Sequence, residues 1–216
     1  MRVWLLLLIC LLRAGPAGAG AFSEEKGTGF VATTGFYRWD GFGAMQEAGL
    51  YAAYGLTPRL TLGFDAYYTP GLSSHALLFL RLPIAQGRGA NRFAAEFGLG
   101  VHREAGGGGA MYRLSLAHGR SWDRGWYDLT ASVERRSGQP KAGWKLDGTL
   151  GGLGKARLQP MLQLGLGRTG WGLREWRASA HLRYDTPKGA TWVLGLERQH
   201  SGTISSAVSL ALWRRF

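Results

Sequence analysis

The sequence predicts an all-β chain, an antiparallel up-and-down barrel of about twelve strands that crosses a bilayer. Three observations predict it. From Gly29 to the last residue, apolar positions alternate with small or polar ones in one short segment after another, and side chains in a strand alternate between its faces. The segments run about ten residues, the length a tilted strand needs to cross the hydrocarbon core. Aromatic residues gather at segment ends: Tyr37 and Trp39, Tyr67 and Tyr68, Trp122 and Trp126, Trp171 and Trp176, Tyr184 and Trp192, Trp213 and Phe216. Two interfacial girdles give that placement.

Residues 1–21 read as a cleaved secretory signal. Arg2 supplies the positive start, residues 3–12 the apolar core, and Ala19-Gly20-Ala21 the small-residue site. Cleavage is expected after Ala21, with Ala19 nearly as good a position. The apolar run is too short to span a membrane as a helix, and Arg13 ends it. Cys10 follows Ile9, where a lipoprotein signal would have a small residue, so no lipid attachment is expected. The mature domain, 22–216, then has no cysteine, which excludes disulfides, thiol nucleophiles and thiolate ligands.

The whole chain carries a formal charge of +12, and without Arg2 and Arg13 24 basic residues face 14 acidic ones. Such an excess suits anionic lipid or phosphate-rich partners, and export sets nucleic acid aside. Glycine, 35 of 216 residues, follows no G-X-Y repeat and is interleaved with aromatics, so neither collagen nor a disordered tract is indicated.

The segments follow in order. After a polar lead, 23–27, the first strand is expected over 29–38. The second, 46–56, puts Ala48, Leu50, Ala52 and Tyr54 on one face, and Thr57-Pro58 turns the chain, proline presetting φ. The third, 59–69, alternates Leu60, Leu62, Phe64, Ala66 and Tyr68 with Arg59, Thr61, Gly63, Asp65 and Tyr67. The fourth, 75–84, has Ala76, Leu78, Leu80 and Leu82 on its apolar face, with Arg81 opposite. After a connection over 85–91, the fifth strand, 93–103, sets Phe93, Ala95, Phe97, Leu99 and Val101 against Glu96, Gly98 and Gly100. Gly106 to Gly109 reads as a flexible loop before the sixth strand, 111–122. Asp123-Arg124-Gly125 makes a hairpin turn into the seventh, 126–136, where Tyr127, Leu129, Ala131 and Val133 oppose Asp128, Thr130, Ser132 and Glu134. The eighth and ninth, 144–150 and 157–168, are joined by 151–156; Pro160 weakens the ninth, since proline removes a ladder hydrogen bond. The tenth, 175–185, alternates Trp176, Ala178, Ala180, Leu182 and Tyr184 with Arg177, Ser179, His181 and Arg183. The eleventh covers 191–199 and the closing strand 204–216.

Face composition separates this fold from its rival, a soluble sandwich or lipocalin-like barrel. A sandwich core favours β-branched residues and leaves charges outside. Here the apolar face is Leu, Ala and aromatics, and the other face mixes single charges with Gly, Ser, Thr and Gln, which suits a lipid-facing exterior around a polar lumen. An even strand number returns both termini to one side; ten strands are the alternative count.

In the closing segment Val208, Leu210 and Leu212 share one face, Ala207, Ser209 and Ala211 the other, and the chain stops on Phe216. This strand resembles the closing strand of the bacterial outer-membrane β-barrels, which typically ends in phenylalanine; Arg214 departs from the apolar residue common at its position. The resemblance implies a porin-like barrel in the outer membrane of a Gram-negative bacterium. It also implies that Phe216 is part of the signal read by the barrel-assembly machinery.

Face counting puts Arg59, Arg81, Arg113, Lys145, Arg177 and Arg183 in the lumen with Asp65, Glu96, Asp128, Glu134, Asp147 and Glu197, six charges of each sign. Either a water-filled, weakly selective pore or a self-neutralising plug needs such pairing, because a buried charge needs a partner. The basic excess falls at strand ends and turns. Arg88, Arg124, Lys155, Arg157 and Lys188 lie on the expected periplasmic side. Arg103, Arg135, Arg136, Lys141, Arg168 and Arg174 form an outer rim able to pair with lipopolysaccharide phosphates or to stay solvated. The inward glycines Gly63, Gly98, Gly100, Gly119, Gly165 and Gly195 relieve crowding inside a small barrel or widen it, the first being favoured.

Lipid hydrolases of this membrane resemble one another in a His-x-Ser pair. The residues two beyond the five histidines are Leu77, Glu104, Arg120, Arg183 and Gly202, so none has that spacing. No metal-ligand cluster, P-loop or dinucleotide fingerprint occurs, and no cofactor is expected. The expected function is a small passive channel for small solutes, with a lipid or lipopolysaccharide hydrolase and a plugged structural barrel as alternatives.

Overall fold

The computed structural model describes residues 21–86, 90–153 and 156–216, with the side chains of Ala85 and Gln86 outside that description. Residues 1–20 of the signal segment, Arg88 and Lys155 therefore lie outside the described residues. Twelve strands follow one another: β1 (Gly29–Trp39), β2 (Ala44–Thr57), β3 (Leu60–Thr69), β4 (Ser73–Gln86), β5 (Asn91–Glu104), β6 (Gly107–Trp122), β7 (Gly125–Arg136), β8 (Gly143–Gly152), β9 (Leu158–Arg168), β10 (Arg174–Asp185), β11 (Ala190–Ser201) and β12 (Thr203–Arg215). Each pairs antiparallel with its sequence neighbours, and β1 pairs with β12, so the sheet closes and leaves no edge. The expected twelve strands are the observed ones.

Period-2 alternation sets the two faces. Leu78, Leu80, Leu99, Leu114, Leu116, Leu164, Leu194 and Leu210 project outward and are exposed. In water such a belt would forfeit roughly 25 cal/mol for every Å² of apolar surface left wet; in lipid it is solvated. Aromatics rim the belt. Tyr37, Trp39, Tyr68, Tyr112, Trp144 and Trp176 lie at the end carrying the β1–β2 turn, and Tyr54, Trp122, Tyr184, Trp192 and Phe216 at the end carrying both barrel termini, which we call periplasmic after the barrel class it resembles.

The strands depart from the sequence reading at a glycine run, at the prolines and at two tryptophans. Gly107 to Gly109 pair with His102 to Glu104 as the start of β6, so the expected glycine loop shrinks to Ala105-Gly106. Pro160 stays in register opposite Leu182 near the start of β9. Proline does disturb the other strand that holds one: the β4–β5 register shifts between Pro83 and Ala85, as expected of a residue without an N–H. Trp126 and Trp213, read as girdle residues, point inward. Trp126 is 3% exposed and packs with Met161, Val193 and Ala211, with Leu153 and Trp213 against them.

Candidate functional site

The lumen holds a cavity of about 890 Å³ that runs from the outer mouth down to Phe30, Ala94, Ala117, Trp126, Met161 and Trp213. Three polar networks stiffen its wall. Near the mouth, Arg38 binds Glu47 through Nε (2.9 Å), Glu197 through Nη2 (2.6 Å) and Ser205 through Nη1 (3.3 Å). The hydroxyl of Tyr67 donates to Glu47 as well. Lower down, Glu96 lies between two guanidinium groups, taking 2.8 Å from Arg81 and 3.2 Å from Arg113. Arg113 reaches on to Asp65 at 2.6 Å, and Arg81 donates to the Tyr51 hydroxyl at 2.7 Å. The third network joins Arg136 to Glu134 (2.7 Å) and Glu104 (3.1 Å), with Gln139 and Trp171 also donating to Glu104. Charge-assisted, many-partner bonds of this kind fix side chains that would otherwise be costly to hold away from bulk water.

Nine of the twelve expected lumen charges line this cavity: Asp65, Arg81, Glu96, Arg113, Glu134, Lys145, Asp147, Arg177 and Glu197. Arg59 does not; the chain is still in the β2–β3 turn there, and its side chain is exposed. Asp128 and Arg183 point inward but are buried at the periplasmic floor, below the open space. Of the expected rim residues, Arg103, Arg135, Arg168 and Arg174 continue the outward rows of β5, β7, β9 and β10 and are exposed, as is Lys141 in the loop after β7. Arg136 is the exception. It is one residue past an outward position, so it faces the lumen and binds Glu134 and Glu104 instead of the rim.

The sequence reading missed Arg38, Glu47 and Glu104. Counting inward from Phe30 in steps of two reaches Arg38, and Glu47 adjoins outward Ala48, so the signal for both was present. With Asp40 and Glu175 at the mouth, the described residues line the cavity with eight carboxylates (Asp40, Glu47, Asp65, Glu96, Glu134, Asp147, Glu175 and Glu197) against six cations (Arg38, Arg81, Arg113, Arg136, Lys145 and Arg177). The lumen is therefore slightly acidic inside a strongly basic chain.

The inward glycines relieve crowding. A Cβ on Gly98 would lie 2.6 Å from Leu77, and one on Gly63 would run into the Phe79 ring. Both of those side chains are fully buried in the wall.

The floor has two halves. Trp126, Met161, Val193 and Ala211 fill one. The lead, residues 21–28, fills the other by turning back into the barrel. The Ala21 amide donates to Asp128 at 2.6 Å, Arg81 donates to the Phe22 carbonyl at 3.3 Å, and the Glu24 amide donates to Thr61 at 3.2 Å. Arg215 pairs with the Glu24 carboxylate at 2.9 Å. Burial outweighs that pairing and holds the Glu24 carboxyl above the usual glutamate range.

One His–Ser pair escapes the His-x-Ser search. Ser179 and His181 share an inward face in reverse order, and His181 Nε2 lies 2.9 Å from Ser179 Oγ. Among the described residues His181 Nδ1 has no hydrogen-bond partner and Ser179 is buried, so none of their acidic groups hydrogen-bonds the ring and the cavity lining does not include the hydroxyl.

Neither a protein-family model nor a curated protein sequence matches the chain. Solved structures do. The chain is similar to the COG4313 outer membrane channel from Pseudomonas putida F1, at 11% identity and a TM-score of 0.68, over 94% of this chain and all of that one. It is similar to the NanC porin at 9% identity and a TM-score of 0.65, over 84% of this chain and 98% of that one. The KdgM porin, solved in complex with disordered oligogalacturonate, gives 12% identity and a TM-score of 0.61 over 86% and 99%. The fold is thus that of small outer-membrane porins and channels.

Proposed function

We propose that the protein is an outer-membrane channel for small solutes, exported by its cleaved signal segment and inserted with the help of its Phe216 end. The observation that carries this reading is the cavity of about 890 Å³, walled by paired charges and open at the outer mouth, inside a barrel whose outer face is apolar. Closed barrels with apolar belts are the β-structures that satisfy every backbone group in lipid. The solute class follows from the lining. Oligogalacturonate, bound by the KdgM porin, is a polyanion; a lumen with eight carboxylates to six cations suits neutral or cationic small solutes better. In this reading the exposed outward arginines Arg103, Arg135, Arg168 and Arg174 pair with lipopolysaccharide phosphates; their exposure at the strand ends supports it.

Single-channel recording of the refolded protein in a planar bilayer tests the channel. Discrete current steps are expected. A barrel that is folded and heat-modifiable, yet silent both intact and with the lead deleted, would exclude a pore and favour a structural barrel.

A further inference from the structure

We propose that residues 22–28 form a displaceable gate, a strap that seals half of the periplasmic mouth from inside and leaves it when the channel conducts. The inference rests on the channel reading above.

Four observations carry it. First, the lead does not run along the outside of the barrel or extend the sheet. It turns inward from the seam, where Gly29 and Phe216 exchange backbone hydrogen bonds at 2.7 and 2.9 Å, and reaches β2, β3, β4 and β7 in turn. Second, the wall is notched to receive it. A Cβ on Gly55 would strike the Glu25 carbonyl, and a Cβ on Gly119 would lie 2.8 Å from both Ala21 and the Phe22 ring. Third, the anchoring is thin. Two backbone bonds tie the lead to Gly55, from Gly27 at 2.9 Å and to Thr28 at 3.0 Å, and beyond Gly55 the lead's polar contacts with the described wall are single hydrogen bonds or ion pairs to wall side chains. Strands of the barrel are held instead by full ladders on both sides. Fourth, the other half of the floor cannot leave. Trp126, Met161, Val193 and Trp213 are side chains of the strands themselves.

Among the described residues the lead is therefore the part of the floor that can undock without breaking the sheet, and Arg81, which holds the Phe22 carbonyl, also lines the cavity above it. Cleavage after Ala19 keeps the Ala21–Asp128 contact. Cleavage after Ala21 removes that amide and leaves the Phe22 α-ammonium one residue away, with the Arg81, Thr61 and Arg215 contacts intact.

The test compares the intact mature chain, a chain lacking residues 22–26, and Gly119→Leu, which crowds the strap's pocket without altering the strap. Each is refolded, checked for heat-modifiable mobility and recorded in planar bilayers. The gate predicts a several-fold rise in conductance or open probability in both variants. Equal conductance in all three overturns the gate and leaves the channel standing. A second readout separates the two ideas: Ser23→Cys, the only thiol in the mature chain, is treated with a membrane-impermeant maleimide. Docking predicts slow labelling that accelerates several-fold when Gly119→Leu is added. If all three chains are silent the channel reading falls, and unchanged labelling in that background overturns the docked strap as well.

Discussion

At the scale of single residues, Arg38 is the hub of the outer half of the lumen. Its guanidinium serves Glu47, Glu197 and Ser205 at once, and each ionic partner is about as buried as Arg38 itself. Arg38→Gln leaves two buried carboxylates facing each other. Removing one partner of a buried pair costs about 3–5 kcal/mol, because the remaining charge is uncompensated. The variant is expected to lose its folded, heat-modifiable band at a lower temperature than the parent; an unchanged melting profile would mean that water already screens the pair. Glu24 carries a pH prediction. Its carboxyl is raised by burial, against the lowering by Arg215 and Arg81 and with a smaller raising by Glu25. A raised acid is stabilised when protonated, so its contribution to docking is complete below the ordinary glutamate pKa of about 4.3 and is lost as pH rises through the raised value. Gate opening should increase with pH across that window, and Glu24→Gln should flatten the rise. A wild-type profile that is flat or inverted would contradict it.

At the scale of elements, the β1–β12 seam decides closure. Phe216 ends the register by exchanging backbone bonds with Gly29, and its ring covers Gly29, where a Cβ would lie 2.6 Å from Phe216 Cε2. Deleting Phe216 removes that pair, and membrane assembly should fail while export continues. Recovery of normal amounts of heat-modifiable barrel from the outer-membrane fraction would make the terminal aromatic incidental. The strands were legible because alternation is a local signal and lipid imposes it on nearly every segment. Arg59 and Arg136 mark its limit. A strand that starts one residue late, or a rim position offset by one, reverses which way a side chain points. The floor was harder to read. Trp126, Met161, Val193 and Trp213 are apolar and inward on strands whose outward faces are apolar too, so composition gives both faces the same appearance. The docked lead was not legible at all, since its contacts with the wall join residues from 27 (Thr28 and Gly55) to 191 positions apart that no local pattern relates.

At the scale of the whole molecule, net charge and lumen charge point in opposite directions. The chain is +12 overall, but among the described residues the arginines away from the cavity, apart from Arg183 and Arg215 in the floor, are exposed at the rim, the turns and the outer surface, while the cavity carries eight carboxylates to six cations. A pore is selective through what lines it, not through the charge of the protein around it. Replacing Arg113 and Arg177 together by glutamine should therefore move selectivity further towards cations, whereas replacing Lys141 and Arg174 should change it little, because both of these are exposed away from the cavity. The most direct measurement is the reversal potential of the lead-deleted channel across a potassium chloride gradient. A small potential of cation-preferring sign is predicted. Strong anion selectivity, the result expected from net charge alone, would contradict the account of the lumen.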